Sequence, residues 1–93
     1  MVVGVLEFRL FIRESQSLKD KRRAVKSLKD RIAHRFPVSI AEVDSLDNRQ
    51  QAHLGAAIVS NDRRHAEEVL SKVVEFVRRS LVAELIDFSI ETY

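Results

Sequence analysis

The chain has 93 residues, of which 45% are hydrophobic and 32% are charged, and its formal net charge at pH 7 is +2. This length predicts one small globular domain over residues 1–93 and excludes a second. The chain has no cysteine, which excludes disulfides, thiolate nucleophiles and sulfur-ligated metals, so we expect a cytoplasmic protein.

The first predicted element is a strand over residues 2–12, in which two sets of side chains alternate at period two. The set predicted to face a core is Val2, Leu6, Phe8, Leu10 and Ile12. The set predicted to face away is Val3, Val5, Glu7, Arg9 and Phe11. Because charges interrupt this segment and it is too short to span a bilayer, we expect no membrane association.

A first helix is predicted between a capping box and a proline. Ser17 is followed three residues later by Asp20, a spacing typical of a helix N-terminus, and Pro37 ends the pattern. Between them, apolar residues recur at helical spacing, namely Leu18, Val25, Leu28, Ile32 and Phe36.

Three further elements complete the chain. Residues 38–44 and 53–60 are predicted strands, and the polar segment between them lacks the Asn-Gly or Asp-Gly of a tight hairpin. Asn61 or Asp62 caps a second predicted helix, whose apolar side is Ala66, Val69, Leu70, Val73, Phe76 and Val77. The last strand, near residues 85–92, is predicted to direct Ile86, Phe88 and Ile90 inward.

The order βαββαβ predicts an α+β protein with the ferredoxin-like, split-βαβ arrangement. In this fold a four-stranded antiparallel sheet, here expected in the order 4-1-3-2, carries two helices on one face and leaves the other face open. The predicted core comprises Leu6, Phe8, Leu10, Val25, Leu28, Ile32, Val69, Val73, Phe76, Ile86, Phe88 and Ile90.

Three segments resemble the bacterial YlxP-like family, a small domain of unknown function. They are SLKDKRRAVKSLKDR, RFPVSIAEVD and LGAAIVSND, and the most specific parts are residues 17–23 and 41–44. The resemblance implies a ferredoxin-like fold in a bacterial cytoplasmic protein. Genes of this family often lie beside those for translation initiation and ribosome maturation, which implies a link to RNA or the ribosome. Members usually have an aromatic residue after AEVD; this chain has Arg49, so no stacking role is carried over.

Positive charge is concentrated in the first helix. Residues 18–36 contain eight Lys or Arg and two Asp, whereas the rest of the chain contains eight Lys or Arg and twelve Asp or Glu. At 100° per residue, five cationic side chains of this helix fall within an arc of about 120°. We call this set the basic ridge; it comprises Lys19, Arg22, Arg23, Lys26 and Lys29.

A row of long cationic side chains suits the phosphates of a nucleic acid. We therefore expect a non-enzymatic module that binds RNA or the ribosome through the basic ridge. The alternative is a solvated helix face, paired locally by Asp20 with Arg23 and by Lys26 with Asp30.

A second functional interpretation is a homo-oligomeric interaction module. The outward set of the first strand, Val3, Val5, Glu7, Arg9 and Phe11, leaves apolar side chains on the open face, which favours a homodimer. In such a dimer Glu7 and Arg9 could pair across a two-fold axis.

A third interpretation is an enzyme acting on a small phosphorylated substrate. It requires Glu42, Asp44 and His53 to converge. We expect instead that the acidic group Glu42, Asp44 and Asp47 solvates a strand end and makes turn hydrogen bonds. The three histidines lie on separate elements and a glycine-rich phosphate loop is absent, so we expect no catalytic residues, metal or cofactor.

Overall fold

The computed structural model describes residues 1–93 and contains six elements. They are β1 (Val2–Ile12), α1 (Leu18–Arg35), β2 (Ser39–Asp44), β3 (Gln51–Ser60), α2 (Arg63–Arg78) and β4 (Ala83–Thr92). All strand pairs are antiparallel and the sheet order is β2-β3-β1-β4. The predicted ferredoxin-like fold and its strand order are therefore confirmed. No helix has the length and apolar composition needed to cross a membrane.

Both helices begin at the predicted caps. The Ser17 side chain accepts a hydrogen bond from the backbone N–H of Asp20, and the Asp62 side chain accepts one from Arg64 N–H. Each cap satisfies an N–H group that has no partner within the helix. Helix α1 ends at Arg35, two residues before Pro37, because proline disfavours helical backbone in the residue that precedes it.

The core lies between the sheet and the helices. Alternate residues of β1 face it, and those from Gly4 to Leu10 are each paired in register with a buried residue of β3; Phe8, for example, lies opposite Leu54. Gly4 allows α2 to approach β1 closely, because an added Cβ would lie 3.0 Å from Leu70 Cδ1 and 3.3 Å from Ala66 Cβ. The predicted core members that are buried are Leu6, Phe8, Leu10, Val25, Leu28, Ile32, Val69 and Val73, and those partly buried are Phe76 and Ile90.

The prediction for β4 is wrong at Ile86. A bulge shifts the register: Asp87 pairs with Arg9 but Leu85 pairs with Leu10, so Ile86 is the extra residue and is 47% exposed. The inward positions before the bulge are taken by Ala83 and Leu85 instead.

Phe88 keeps its predicted parity but not its predicted burial. It pairs with the buried Phe8 and so lies on the helix side of the sheet, yet it is 42% exposed because β4 is an edge strand. The guanidinium carbon of Arg78 lies 5.5 Å from the centre of the Phe88 ring. A cationic side chain from α2 therefore covers part of this ring in place of an apolar one.

Candidate functional site

The basic ridge runs along the solvent side of α1. Four of its members are exposed, namely Lys19, Arg22, Arg23 and Lys26, and Lys29 is half-buried. The opposite side of α1 carries the buried residues that pack toward the sheet. The structure therefore brings the five predicted residues onto one accessible surface.

Only one ridge cation has a carboxylate partner. Lys26 Nζ donates to Asp30 Oδ2 at 2.7 Å, as expected, and this hydrogen bond lowers the pKa of Asp30. Asp20 does not pair with Arg23. It accepts a hydrogen bond from the backbone N–H of Gln16 instead, at the start of the helix. Four of the five ridge cations thus remain without a carboxylate partner.

Lys21 lies in the same charged segment but is completely buried. Its Nζ is 2.7 Å from Glu42 Oε2 and donates to the carbonyl oxygens of Ser45 at 2.7 Å and Leu46 at 3.4 Å. The short approach to Glu42 is a contact between charges, since Oε2 has no donor in hydrogen-bonding geometry. A buried ammonium group needs such compensation because leaving water is costly.

Lys21 and Ser15 together attach the loop between β2 and β3 to the start of α1. Besides the two bonds from Lys21, the buried hydroxyl of Ser15 donates to the carbonyl oxygen of Arg49 at 2.6 Å. Sequence analysis counted Lys21 only as part of the charged run. The signal that could have identified it is its spacing, four residues before Val25 and seven before Leu28, which places it within the apolar stripe.

The three residues of the acidic group, Glu42, Asp44 and Asp47, differ in burial and in their contacts. The expectation that Glu42 solvates a strand end is wrong, because its side chain is 10% exposed and contacts Lys21. Asp44 accepts from the backbone N–H of Ser45 at 2.7 Å, and Asp47 is exposed. The turn bonds are made mainly by Asn48, whose Oδ1 accepts from two following N–H groups.

The three residues of the enzyme interpretation do not all converge: Asp44 lies opposite His53 in the pairing of β2 with β3, but Glu42 does not join them. Glu42 lies opposite the buried Leu54 and so faces the helices, whereas His53 lies opposite Arg9 and faces the open side of the sheet. His53 Nε2 is 3.1 Å from Glu7 Oε1. No three His, Asp or Glu side chains are grouped so that they could hold a metal ion.

The open sheet face contains the predicted set Val3, Val5, Glu7, Arg9 and Phe11. Both charged members have partners in the same chain: Glu7 contacts His53, and Arg9 pairs with Asp87 through two contacts, of which Nε to Oδ1 measures 2.8 Å. Pairing across a two-fold axis is therefore not needed to balance these charges. The hydrogen bond between Arg9 and Asp87 lowers the pKa of Asp87 and raises that of Arg9.

Fold and surface together define a small ferredoxin-like protein with one helix that is basic on its solvent side. Residues 3–90 match the model of a family described as a protein of unknown function, DUF503. The chain is also similar to the uncharacterized protein YlxP of Bacillus subtilis (strain 168), to which it is 34% identical over 76 residues. This aligned region covers 82% of this chain and 83% of that protein. The chain belongs to the DUF503 family, and its resemblance to the YlxP-like family is confirmed.

Replacing Lys21 by Met is expected to lower the free energy of unfolding by about 3–5 kcal/mol, because it leaves Glu42 as an uncompensated, largely buried charge. The control Lys26→Met removes an exposed pair, which is worth less than about 1 kcal/mol. Urea denaturation measures both. Adding Glu42→Leu to Lys21→Met should restore part of the loss. Equal effects of the two single substitutions would contradict a structural role for the buried pair.

Replacing Arg9 by Gln is expected to raise the pKa of Asp87 toward its ordinary value, as measured by NMR titration of the carboxyl groups. Because the folded-state pKa is lowered, the pair stabilises the fold above the unfolded-state pKa of Asp87. This stabilisation is lost as the pH falls through the folded-state pKa. The pKa of Asp30, which depends on Lys26, is the internal control and should not move. An unchanged Asp87 midpoint would refute the assigned pairing.

Proposed function

We propose that this protein is a non-enzymatic, cytoplasmic module that associates with RNA or the ribosome, and that the basic ridge contacts RNA phosphates. The observation that carries the proposal is the set of four ridge cations without carboxylate partners on a single helix face. An unpaired surface cation can exchange its counterions for a phosphate, and the release of those ions favours binding.

The dimensions of the ridge support several phosphate contacts. Lys19 and Lys29 are ten residues apart, which corresponds to about 15 Å along a helix. The open sheet face is a weaker candidate for binding RNA. Proteins of related fold stack bases on aromatic side chains of this face, so few aromatic residues mean few stacking positions. Phe11 is the only aromatic residue of the outward set on β1, and it is half-buried.

The separation of Glu42 from His53 supports the non-enzymatic part of the proposal. Catalysis by these groups would need them to reach one substrate atom from the same side. Glu42 instead contacts Lys21 under α1, and His53 contacts Glu7 on the opposite face of the sheet.

The double variant Arg22→Gln, Arg23→Gln is expected to bind RNA less tightly and with a salt slope reduced by about one to two units, because two phosphate contacts are lost. The fold should survive, since exposed substitutions usually change stability by less than about 0.5 kcal/mol. Fluorescence anisotropy with labelled RNA, across a range of salt concentrations, measures the slope. Pull-down of ribosomal components with and without ribonuclease tests the cellular partner.

The charge-matched control is Arg49→Gln, Arg64→Gln, which removes two exposed cations outside the ridge. This control should bind RNA nearly as the unchanged protein does. If the folded ridge variant and the control retain RNA equally, the ridge has no role in binding RNA.

A homo-oligomeric interaction module is the second candidate, and one observation favours it. Val43 and Val59, which are 51% and 65% exposed, lie on the open sheet face beside the half-buried Val3 and Val5. An apolar area next to a charged one is typical of a surface that a second copy covers.

Light scattering at tens of micromolar protein, an order of magnitude above many dimer dissociation constants, is expected to give the mass of a dimer. Val59→Lys should shift the mass toward the monomer, because it places a charge in the apolar area. The control Leu81→Lys alters a residue that is 89% exposed in the turn before β4 and should leave the mass unchanged. A monomeric mass for the unchanged protein would rule out this candidate.

A further inference from the structure

Three arginines from the two helices line a single cleft. Arg31 and Arg35 come from the last turns of α1, and Arg79 is the residue that caps the end of α2. The cleft has a volume of about 180 Å³, and Phe76 and Leu28 form its apolar part. On α1, these arginines lie on the other side of the apolar stripe from the basic ridge.

The positive charge of this cleft is not neutralised within the chain. None of the three arginines has a carboxylate within salt-bridge distance. The two acidic residues nearby already have other partners: Asp30 pairs with Lys26 at 2.7 Å, and Glu75 lies 3.5 Å from Arg78. The cleft is therefore lined by three cationic side chains, none of which is in an ion pair.

Packing holds one of these guanidinium groups in place. The Arg35 guanidinium carbon lies 5.4 Å from the centre of the Phe76 ring, and Phe76 meets Phe36 edge to face at 5.8 Å. Arg31 donates from Nε to the carbonyl oxygen of Ser27 at 3.4 Å, which leaves its terminal amino groups for other partners. Planar, pre-ordered guanidinium groups are well suited to bidentate contact with phosphate oxygens.

We propose that the three-arginine cleft binds a backbone phosphate of single-stranded or looped RNA. The inference rests on the proposed function and adds the class of RNA. A regular duplex is stiff and presents its phosphates to convex surfaces such as the basic ridge. A flexible strand can place a phosphate between two helices more readily than a stiff duplex can, and the base next to that phosphate can stack on the exposed side of Arg35.

The test uses two labelled probes, a short single-stranded RNA of mixed sequence and the same RNA annealed to its complement. The cleft variant Arg31→Gln, Arg79→Gln is compared with the ridge variant Arg22→Gln, Arg23→Gln and with the control Arg49→Gln, Arg64→Gln. Because cations in the last turn also stabilise a helix through its dipole, thermal unfolding is recorded for each variant. Arg35→Lys, which keeps the charge but loses the planar group, serves as the milder second variant.

The cleft variant is expected to reduce the salt slope for the single strand by about 0.7, the value for the one phosphate contact that is lost, and to leave duplex binding unchanged. The ridge variant should weaken binding of both probes. The proposal is overturned if the folded cleft variant binds the single strand as the control does, or loses both probes equally. Anionic lipid vesicles serve as a third probe, and the proposal is also overturned if the cleft variant loses binding to these vesicles alone, which assigns the cleft to lipid headgroups. If the unchanged protein binds neither RNA, the proposed function fails as well.

Discussion

A buried contact between an ammonium group and a carboxylate sets the position of the first helix. Lys21 lies within the apolar stripe of α1 and reaches Glu42 on β2 and two carbonyl oxygens of the following loop. Lys21 joins Val25, Leu28 and Ile32 on the buried side of α1, and the basic ridge lies on the solvent side. The rotation of the helix that buries Lys21 therefore also directs the basic ridge toward solvent.

The same pair joins the two segments that carry most of the family resemblance. The two most specific segments, residues 17–23 and 41–44, contain Lys21 and Glu42 respectively. Within residues 17–23, a cap and a buried lysine alternate with the exposed Lys19, Arg22 and Arg23. One short stretch of sequence therefore both anchors the helix and supplies three of the five ridge cations.

Elements governed by local chemistry could be predicted from the sequence, and features that depend on distant partners could not. Both helix caps and the ridge followed from periodicity and side-chain type, whereas the strand order followed from the fold that the element order βαββαβ indicates. The helical spacing of Lys21 indicates a buried position, but its partner could not be derived in this way, because Glu42 is 21 residues away on another element. The bulge at Ile86 depends on pairing with β1, and the cleft joins Arg31 and Arg79 from two helices.

Both edge strands of the sheet are irregular, and this restricts how the protein can associate. The register of β4 shifts at Ile86, and that of β2 shifts between Glu42 and Asp44. A bulge bends an edge and interrupts the regular row of N–H and C=O groups that another strand would need. The irregular edges therefore disfavour continuous extension of the sheet into fibrils. They also make association of two copies through their sheet faces easier than association through their edge strands.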